Sequence, residues 1–195
     1  MKTDVITIDS NLHGRCEALE EAERFAAYNG LTGKNATHLR LLTEETISMV
    51  HGILDDFRGD FWIECDNKRD GKLCRIYVAA RTSVSELQEE ELMEISSTGK
   101  NEEAKGILGT IREVFRWIVQ RTETNPQNAV QPDDVWSLQQ YRSGLQGAKD
   151  EAGRQAWDEL EKSIVANLSD EIRIGITDER ATVIIERFFS TVSSG

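Results

Sequence analysis

Two β-hairpins, far apart along the chain, constrain its fold more than any other feature. In the first, residues 61–66 alternate between apolar and polar side chains, and an apolar run at 73–80 follows the turn sequence Asp-Gly at 70–71. Both turn residues tolerate the positive φ that tight hairpin turns require. The second hairpin joins the alternating residues 172–176 to a closing strand at 182–189. At least four strands should therefore pair.

Helices account for most of the remaining patterned sequence. Apolar spacing predicts a first helix that ends at residues 29–30, Asn-Gly, and a second that follows residues 32–35 and runs to about residue 57. A helix is expected after residue 106, and two more between 135 and 168. The apolar stripe of the first helix is predicted to consist of Leu12, Cys16, Leu19, Ala22 and Ala26.

Helices that separate antiparallel hairpins pack on one face of their shared sheet. With a further short strand at residues 5–8, the predicted fold class is α+β, a two-layer α/β sandwich whose mixed, mostly antiparallel sheet carries helices on one face. A chain of 195 residues buries roughly 70% of its unfolded surface as one domain. We therefore expect a single domain over residues 1–195, with a helical insertion at about 122–169.

Acidic residues dominate the charge of the chain. Lys and Arg number 23 against 35 Asp and Glu, which gives a formal net charge of -12. Such a surface repels phosphate backbones and acidic lipids, so neither nucleic acid nor a membrane is an expected partner. No apolar run approaches the ~18 residues of a spanning helix, and the first residues do not resemble a signal peptide. We expect a cytoplasmic protein, with a mobile acidic segment at 83–106.

Cysteine and histidine spacing gives little sign of a cross-link or a metal centre. The three cysteines, Cys16, Cys65 and Cys74, are an odd number without a close pair in sequence. This pattern disfavours a disulfide framework or a zinc knuckle. The histidines at 13, 38 and 51 lack the short spacings of metal ligands on one element, so we expect ordinary surface or boundary histidines.

The order of elements, together with the sequence TEETISMVH at residues 43–51, resembles the histidine-kinase-type ATPase fold, also called the Bergerat or GHKL fold. Within that fold it is most similar to the anti-sigma-factor serine kinases. In this family a long helix carries Glu-x-x-x-Asn, the next hairpin ends in Asp-x-Gly-x-Gly, and a lid, a Gly-Leu-Gly-Leu helix and a last hairpin follow. The resemblance covers residues 3–121 and 169–191.

The resemblance implies roles for two residues of the second helix. Glu44 stands where the family has its general base, the carboxylate that orients a water or a substrate hydroxyl at the terminal phosphate. Ser48 stands in place of the metal-binding Asn, and a serine hydroxyl can ligate magnesium. Helical geometry places both on one polar stripe with Arg40, His51 and Asp55. This stripe is compatible with a phosphate-facing site, but taken alone it favours the solvent-facing side of an ordinary amphipathic helix.

The second family motif lacks its adenine-binding carboxylate in this chain. Alignment with the family strand puts Ala80 at the Asp, and Thr82 and Val84 at the two glycines. The neighbouring Arg81 cannot replace the Asp, because a guanidinium only donates hydrogen bonds and so does the adenine amine. An unpaired buried amine costs ~1–3 kcal/mol, or about one to two decades of affinity.

Two glycines, Gly106 and Gly109, occupy the place of the family's phosphate-cradling turn. They open a predicted helix, as such a turn does, although their spacing is one residue longer than in the family. The alternative is structural, with Gly106 as a helix break and Gly109 allowing close packing.

These observations lead to three hypotheses for the function. The first is a non-catalytic bacterial regulatory protein of the anti-sigma kinase-like fold, which has lost ordinary ATP binding and acts by protein binding. Its partner would be a sigma factor or an anti-sigma antagonist, or a second copy that docks through the insertion. The second is an active ATP-dependent serine protein kinase. The third is an unrelated α/β domain that shares only the architecture.

The kinase hypothesis assigns a role to each family-equivalent residue. ATP and magnesium would bind, with Glu44 as the base. Ser48, together with Asn35 or His51, would bind the metal ion, and Gly106 and Gly109 would bind the phosphates. The aromatic residues of the insertion have a structural and a functional interpretation, either packing on the domain's own helices or anchoring a partner or dimer contact. These residues are Trp136, Tyr141 and Trp157.

Overall fold

The computed structural model describes residues 1–54, 57–81, 109–111, 114, 136–146, 150–177 and 180–190. The predicted acidic segment at 83–106 and residues 122–134 of the predicted insertion lie outside these ranges, as do Gly106, Asp55, Thr82 and Val84.

Six described strands form one sheet in the order β1-β2-β3-β6-β5-β4. They are β1 (Ile6–Asp9), β2 (Arg58–Lys68), β3 (Gly71–Arg81), β4 (Trp136–Ser137), β5 (Glu171–Thr177) and β6 (Arg180–Ser190). The two predicted hairpins meet at the centre, where β3 pairs with β6 from Gly71↔Ser190 to Ala80↔Ala181. The α+β class is confirmed. All pairs among the described strands are antiparallel, so the expectation of a mixed sheet is not met there.

Five helices lie in the described chain, besides the helical residues 109–111 and 114. They are α1 (Arg15–Tyr28), α2 (Lys34–Ile53), α3 (Leu138–Gln146), α4 (Glu151–Lys162) and α5 (Ile164–Leu168). Helix α1 contacts β1 and β2, α2 contacts β3, and α3 contacts β5. None of these described helices combines the length and apolarity needed to cross a bilayer.

One face of the sheet carries the core. Along β2 the buried side chains alternate with partly exposed ones, and the register aligns Phe61 with Val78 and Ile63 with Ile76 of β3. These four side chains are at most 1% exposed. Alternation of this kind is what a strand shows when one face packs on helices. The sequence pattern therefore predicted this face correctly.

The predicted apolar stripe of α1 is wrong at its beginning. The helix begins only at Arg15, after Gly14 in a left-handed conformation with φ 74°. Leu12 precedes the helix and is 51% exposed, and Cys16 is exposed as well. The side chains that α1 buries are those of Ala18, Ala22, Phe25 and Ala26.

The insertion belongs to the core of the domain. Leu138 and Leu160 are buried, and the three aromatic side chains singled out in the sequence pack against the core, which supports the structural interpretation. The last predicted helix is divided in two at Ser163. The Ser163 hydroxyl accepts a hydrogen bond from the Ala166 N–H, so it caps a new helix, α5, at this point.

Candidate functional site

Helix α2 carries the polar stripe to which the sequence assigned catalytic roles. The opposite side of the helix is buried, and its two inward threonines satisfy their hydroxyls within the helix: Thr43 donates to the Leu39 carbonyl and Thr46 to the Leu42 carbonyl. Because α2 packs against α1 on one side and α5 on the other, the stripe can reach side chains of those neighbours. The partners of Glu44 therefore come partly from another helix.

Two arginines hold the carboxylate of Glu44. Arg15, the first residue of α1, donates from Nη2 to Glu44 Oε1 over 3.1 Å. Arg40, one turn earlier on α2, places Nη1 3.7 Å from Glu44 Oε2. About one third of the Glu44 and Arg15 side chains is exposed, so the pair is only partly screened by water. Both carboxylate oxygens thus face a guanidinium group.

The same contacts join α1 to α2. Arg40 also pairs with Glu23 of α1, with 2.5 Å between Arg40 Nε and Glu23 Oε1. The network therefore runs Arg15, Glu44, Arg40, Glu23 and crosses between the two helices twice. Ion pairs with this exposure stabilise a fold by about 0–1 kcal/mol each, so their main effect is to fix side-chain positions. We call these four residues the α1–α2 ion-pair network.

His51 lies about two turns beyond Glu44 on α2. Its ring meets Phe57 edge to face, with the centroids 5.1 Å apart. Partial burial holds the pKa of His51 below its ordinary value of 6.5, and the positive charge of Arg15 lowers it further, against a smaller opposing effect of Asp9. Its surroundings in this structure therefore favour the neutral ring at pH 7.

The structure brings together only part of the predicted metal site. Ser48 is exposed on the helical turn that follows Glu44. Asn35 lies thirteen residues before Ser48, about 20 Å along the helix axis. Its side-chain amide donates instead to the Ser190 carbonyl over 3.4 Å. The structure therefore does not bring Asn35 and Ser48 together at one metal.

Ala80 is apolar and buried at the position that the resemblance predicts for adenine binding. It is 2% exposed and lies in the sheet between Gly59 of β2 and Ala181 of β6. The strands approach so closely here that a Cβ added to Gly59 would lie 3.0 Å from the Ala79 carbonyl oxygen and 3.2 Å from the Ala80 Cα. The side chain at position 80 is a methyl group, which cannot accept a hydrogen bond from an amine.

Gly109 is the only described member of the predicted phosphate turn. It is buried and already helical, and Ile111 two residues later is fully buried. These features agree with the packing interpretation of Gly109. Elsewhere in the described chain, no three or more His, Cys, Asp or Glu side chains are grouped so that they could hold a metal ion.

The residues described here do not fit an ATP and magnesium site of the family type. Glu44 is held by two arginines, position 80 is apolar, and the surroundings of the histidine on the stripe favour its neutral ring. We therefore derive no phosphoryl-transfer step from this geometry.

Sequence reasoning missed the partners from α1 and the pairing of two cysteines. Nothing local to Glu44 marks Arg15 or Glu23 as its neighbours, since the contact is tertiary. Cys65 and Cys74 lie directly opposite each other on β2 and β3 and form a disulfide, so the expectation against a disulfide was wrong. The position of the hairpin turn sets the register of β2 and β3 and is the signal that reveals this pair.

Comparison with protein-family models, curated proteins and solved structures found no match for this chain. The likeness to anti-sigma-factor kinases therefore remains a prediction.

Proposed function

We propose that this chain is a non-catalytic regulatory protein with an anti-sigma kinase-like ATPase fold, which acts by binding another protein and has lost ordinary ATP binding. The observation that carries the proposal is the pairing of Glu44 with Arg15 and Arg40. A general base needs an oxygen that can accept a proton from a water or a hydroxyl in the transition state. In this chain the guanidinium groups engage both oxygens.

Freeing Glu44 would remove one of the two ion pairs that join α1 and α2. Rotation of its side chain away from Arg15 breaks this pair and leaves the Arg15 guanidinium without its carboxylate, while the Arg40–Glu23 pair remains. A catalytic carboxylate is normally positioned by groups that leave it directed at the substrate. Here the arrangement directs it at a neighbouring helix instead, which supports a structural role.

The apolar residue at position 80 also supports the proposal, because it concerns nucleotide binding where Glu44 concerns catalysis. Ala80 presents a methyl group where the family's carboxylate would accept the adenine amine. The expected penalty of ~1–3 kcal/mol weakens binding by about one to two decades without any effect on the phosphates. The loss of adenine recognition and the pairing of Glu44 with two arginines together favour a protein that no longer uses ATP.

The charge of the chain indicates the kind of partner. With a formal net charge of -12, the surface attracts basic protein surfaces over long range and raises their association rate. A sigma factor or an anti-sigma antagonist that presents a basic surface fits this expectation, and a cytoplasmic, bacterial setting follows from the same proposal.

An active kinase is the second candidate, and one feature of α2 favours it. Glu44 and Ser48 lie one turn apart on the same stripe, as a base and a metal ligand of this family would. This candidate requires Glu44 to leave its arginines when nucleotide and magnesium bind.

A transfer assay separates the two candidates. The full chain is incubated with magnesium, ATP labelled at the γ-phosphate, and purified sigma factors and anti-sigma antagonists of its own organism. We expect no labelled protein above the level given by a Glu44→Gln variant, and saturable binding of one of these proteins in a parallel titration. Labelling of a serine that disappears in Glu44→Gln would overturn the proposal in favour of the kinase.

A further inference from the structure

The Cys65–Cys74 disulfide closes the end of the β2–β3 hairpin. The two residues are direct partners in the register, with their Cα atoms 4.1 Å apart, and the bond encloses residues 66–73. Both side chains lie on the covered face of the sheet and are 3% and 1% exposed. The third cysteine, Cys16, is exposed and outside this pair. The cross-link is therefore part of the core and specific to two of the three cysteines.

The backbone of Cys65 bonds to the first residue of the chain. Its N–H donates to the Met1 carbonyl over 2.8 Å, and the Met1 ammonium donates to the Cys65 carbonyl over 2.7 Å. In an antiparallel sheet, a residue directs its N–H and its C=O to the same neighbouring strand. With the strand on its other side, such a residue forms a non-hydrogen-bonded pair. Cys65 is thus held by the N-terminus on one side and by the sulfur of Cys74 on the other.

The next residues extend this docking along β2. The Thr3 N–H donates to the Ile63 carbonyl over 2.9 Å, and its Oγ1 accepts from the Ile63 N–H over 3.0 Å. Between them, the Lys2 ammonium lies 4.4 Å from the centre of the Trp62 ring and 3.5 Å from Glu64 Oε1. We call residues 1–3 the N-terminal strap. Its backbone contacts fall on the stretch of β2 that the disulfide fixes, and the Met1 sulfur also accepts a hydrogen bond from the Asn29 side chain at the end of α1.

The two strands that the disulfide joins differ in how far their outer edges are paired with other strands. On the β3 side, Cys74 belongs to a strand paired with β6 over ten consecutive residues, from Gly71 to Ala80. On the β2 side, β1 pairs with β2 from Arg58 to Phe61, and the described backbone partner of Cys65 on the edge away from β3 is Met1 of the strap. When the S–S bond is reduced, two thiols must separate from bonding distance to van der Waals contact inside a close-packed core. The less supported side, β2 with its strap, is the one that yields.

We propose that Cys65 and Cys74 form a reversible redox switch that controls the docking of the N-terminal strap on β2. In the oxidised form the hairpin end is fixed and the strap is ordered. In the reduced form the strap and the end of β2 open locally. In a reducing cytoplasm, which the sequence predicts for this chain, protein disulfides are commonly transient or redox-sensing.

The chemistry is ordinary thiol–disulfide exchange with a dithiol reductant of the thioredoxin class. Because both cysteines are buried, the end of β2 must first open locally. The thiolate of the reductant then attacks Cys65 Sγ, which forms a mixed disulfide and expels Cys74 as a thiolate that takes up a proton. The second thiol of the reductant then attacks the mixed disulfide, and Cys65 leaves as a thiolate that is protonated in turn. Two electrons and two protons reach the cysteine pair, and the reductant becomes a disulfide. A low-molecular-weight disulfide, such as oxidised glutathione, reverses the change.

The test compares oxidised and reduced forms of the full chain. Protein treated with oxidised glutathione or with dithiothreitol is quenched in acid, denatured and alkylated, and its thiols are located by peptide mass spectrometry. We expect alkylation at Cys16 alone after oxidation and at all three cysteines after reduction. Hydrogen exchange should be about tenfold or more faster after reduction in peptides that contain the strap and residues 58–66. The Tm should fall by about 5–10 °C.

Two variants sharpen the test. Cys16→Ser keeps the switch pair and should keep the full redox response. Cys65→Ala with Cys74→Ala has no switch pair and should give the same exchange and the same Tm in either buffer, and if this variant fails to fold, the two redox forms of Cys16→Ser still provide the comparison. Alkylation of all three cysteines after oxidising treatment would overturn the proposal. So would a disulfide whose reduction leaves exchange in the strap unchanged, because the bond would then be a static cross-link.

Discussion

Arg15 of α1 donates a hydrogen bond to Glu44 of α2 across 29 residues of sequence. This contact gives the carboxylate a neighbour that its own helix could not supply, and Arg40 engages the second oxygen. The residue that family resemblance presents as a base is therefore part of the packing between two helices. The account of this chain as a non-catalytic relative rests on that relationship.

The Arg15–Glu44 pair should show measurable coupling in a double-mutant cycle. Urea unfolding of wild type, Arg15→Ala, Glu44→Ala and the double variant should give a coupling energy of about 0.2–1 kcal/mol, because the pair is partly exposed. The coupling should shrink in 1 M salt, where screening is strong. A coupling of zero at low salt would mean that Arg15 does not hold the carboxylate.

Gly71 should not tolerate a side chain, although its backbone is in an ordinary conformation. A Cβ at this position would overlap the carbonyl oxygen of Phe189 and lie 2.7 Å from Phe188 Cζ. We expect Gly71→Ala to lower the free energy of unfolding by about 1–3 kcal/mol. Gly144→Ala is the matched control, since nothing lies within 4 Å of its added Cβ in α3. Equal stability of the two variants would refute the close approach of β3 and β6.

His38 should make stability depend on pH near neutrality. Partial burial and the charge of Arg187 hold the pKa of His38 below its ordinary value of 6.5, against smaller opposing effects of the Leu168 carbonyl and Asp170. Below pH 6.5 the unfolded chain therefore binds a proton that the folded chain does not. The free energy of unfolding falls as pH decreases from 6.5 to the folded pKa, and the effect disappears above 6.5.

Unfolding of wild type and His38→Gln at several pH values between 5.5 and 8 tests this dependence. The glutamine amide can still donate to the Leu168 carbonyl, which His38 Nε2 approaches to 3.1 Å. We expect the free energy of unfolding of wild type, relative to that of His38→Gln, to be lower at pH 5.5 than at pH 8. If the free energies of unfolding of the two proteins change in parallel with pH, His38 is not the source of the pH dependence.

The fold class, both hairpins and α2 could be predicted because each has a strong local period. The alternation at residues 61–66 and the spacing along α2 require no knowledge of distant contacts. The short strand β4 could not be predicted in the same way. It has two residues, Trp136 and Ser137, and exists because the edge of β5 pairs with them.

The Cys65–Cys74 pair was missed because the expectation rested on the number and spacing of the cysteines, and because the predicted hairpin turn, placed one residue too late, did not pair them. A loop at residues 70–71 would pair Cys65 with Ile76, whereas the structure has its loop at 69–70 and pairs Lys68 with Gly71. A shift of the turn by one residue changes the partner of every later residue by two. Gly71 is needed for its close approach to β6, not for a positive φ, so the turn chemistry alone gave the wrong register.

The α1–α2 ion-pair network could not be read from sequence for a different reason. Its members lie on two helices, and their distances depend on how those helices pack on the sheet. The sequence placed Glu44 correctly on the polar stripe of α2. It contained no signal that this part of the stripe faces Arg15 of α1.

Calorimetric titration of the full chain with magnesium and ATP, and with magnesium and ADP, tests the central claim most directly. The account predicts no binding at micromolar concentrations, because position 80 lacks an acceptor for the adenine amine and arginines engage Glu44. A micromolar dissociation constant for either nucleotide would contradict it. If such binding were found, retention of affinity in Glu44→Ala together with loss of phosphoryl transfer would identify the kinase.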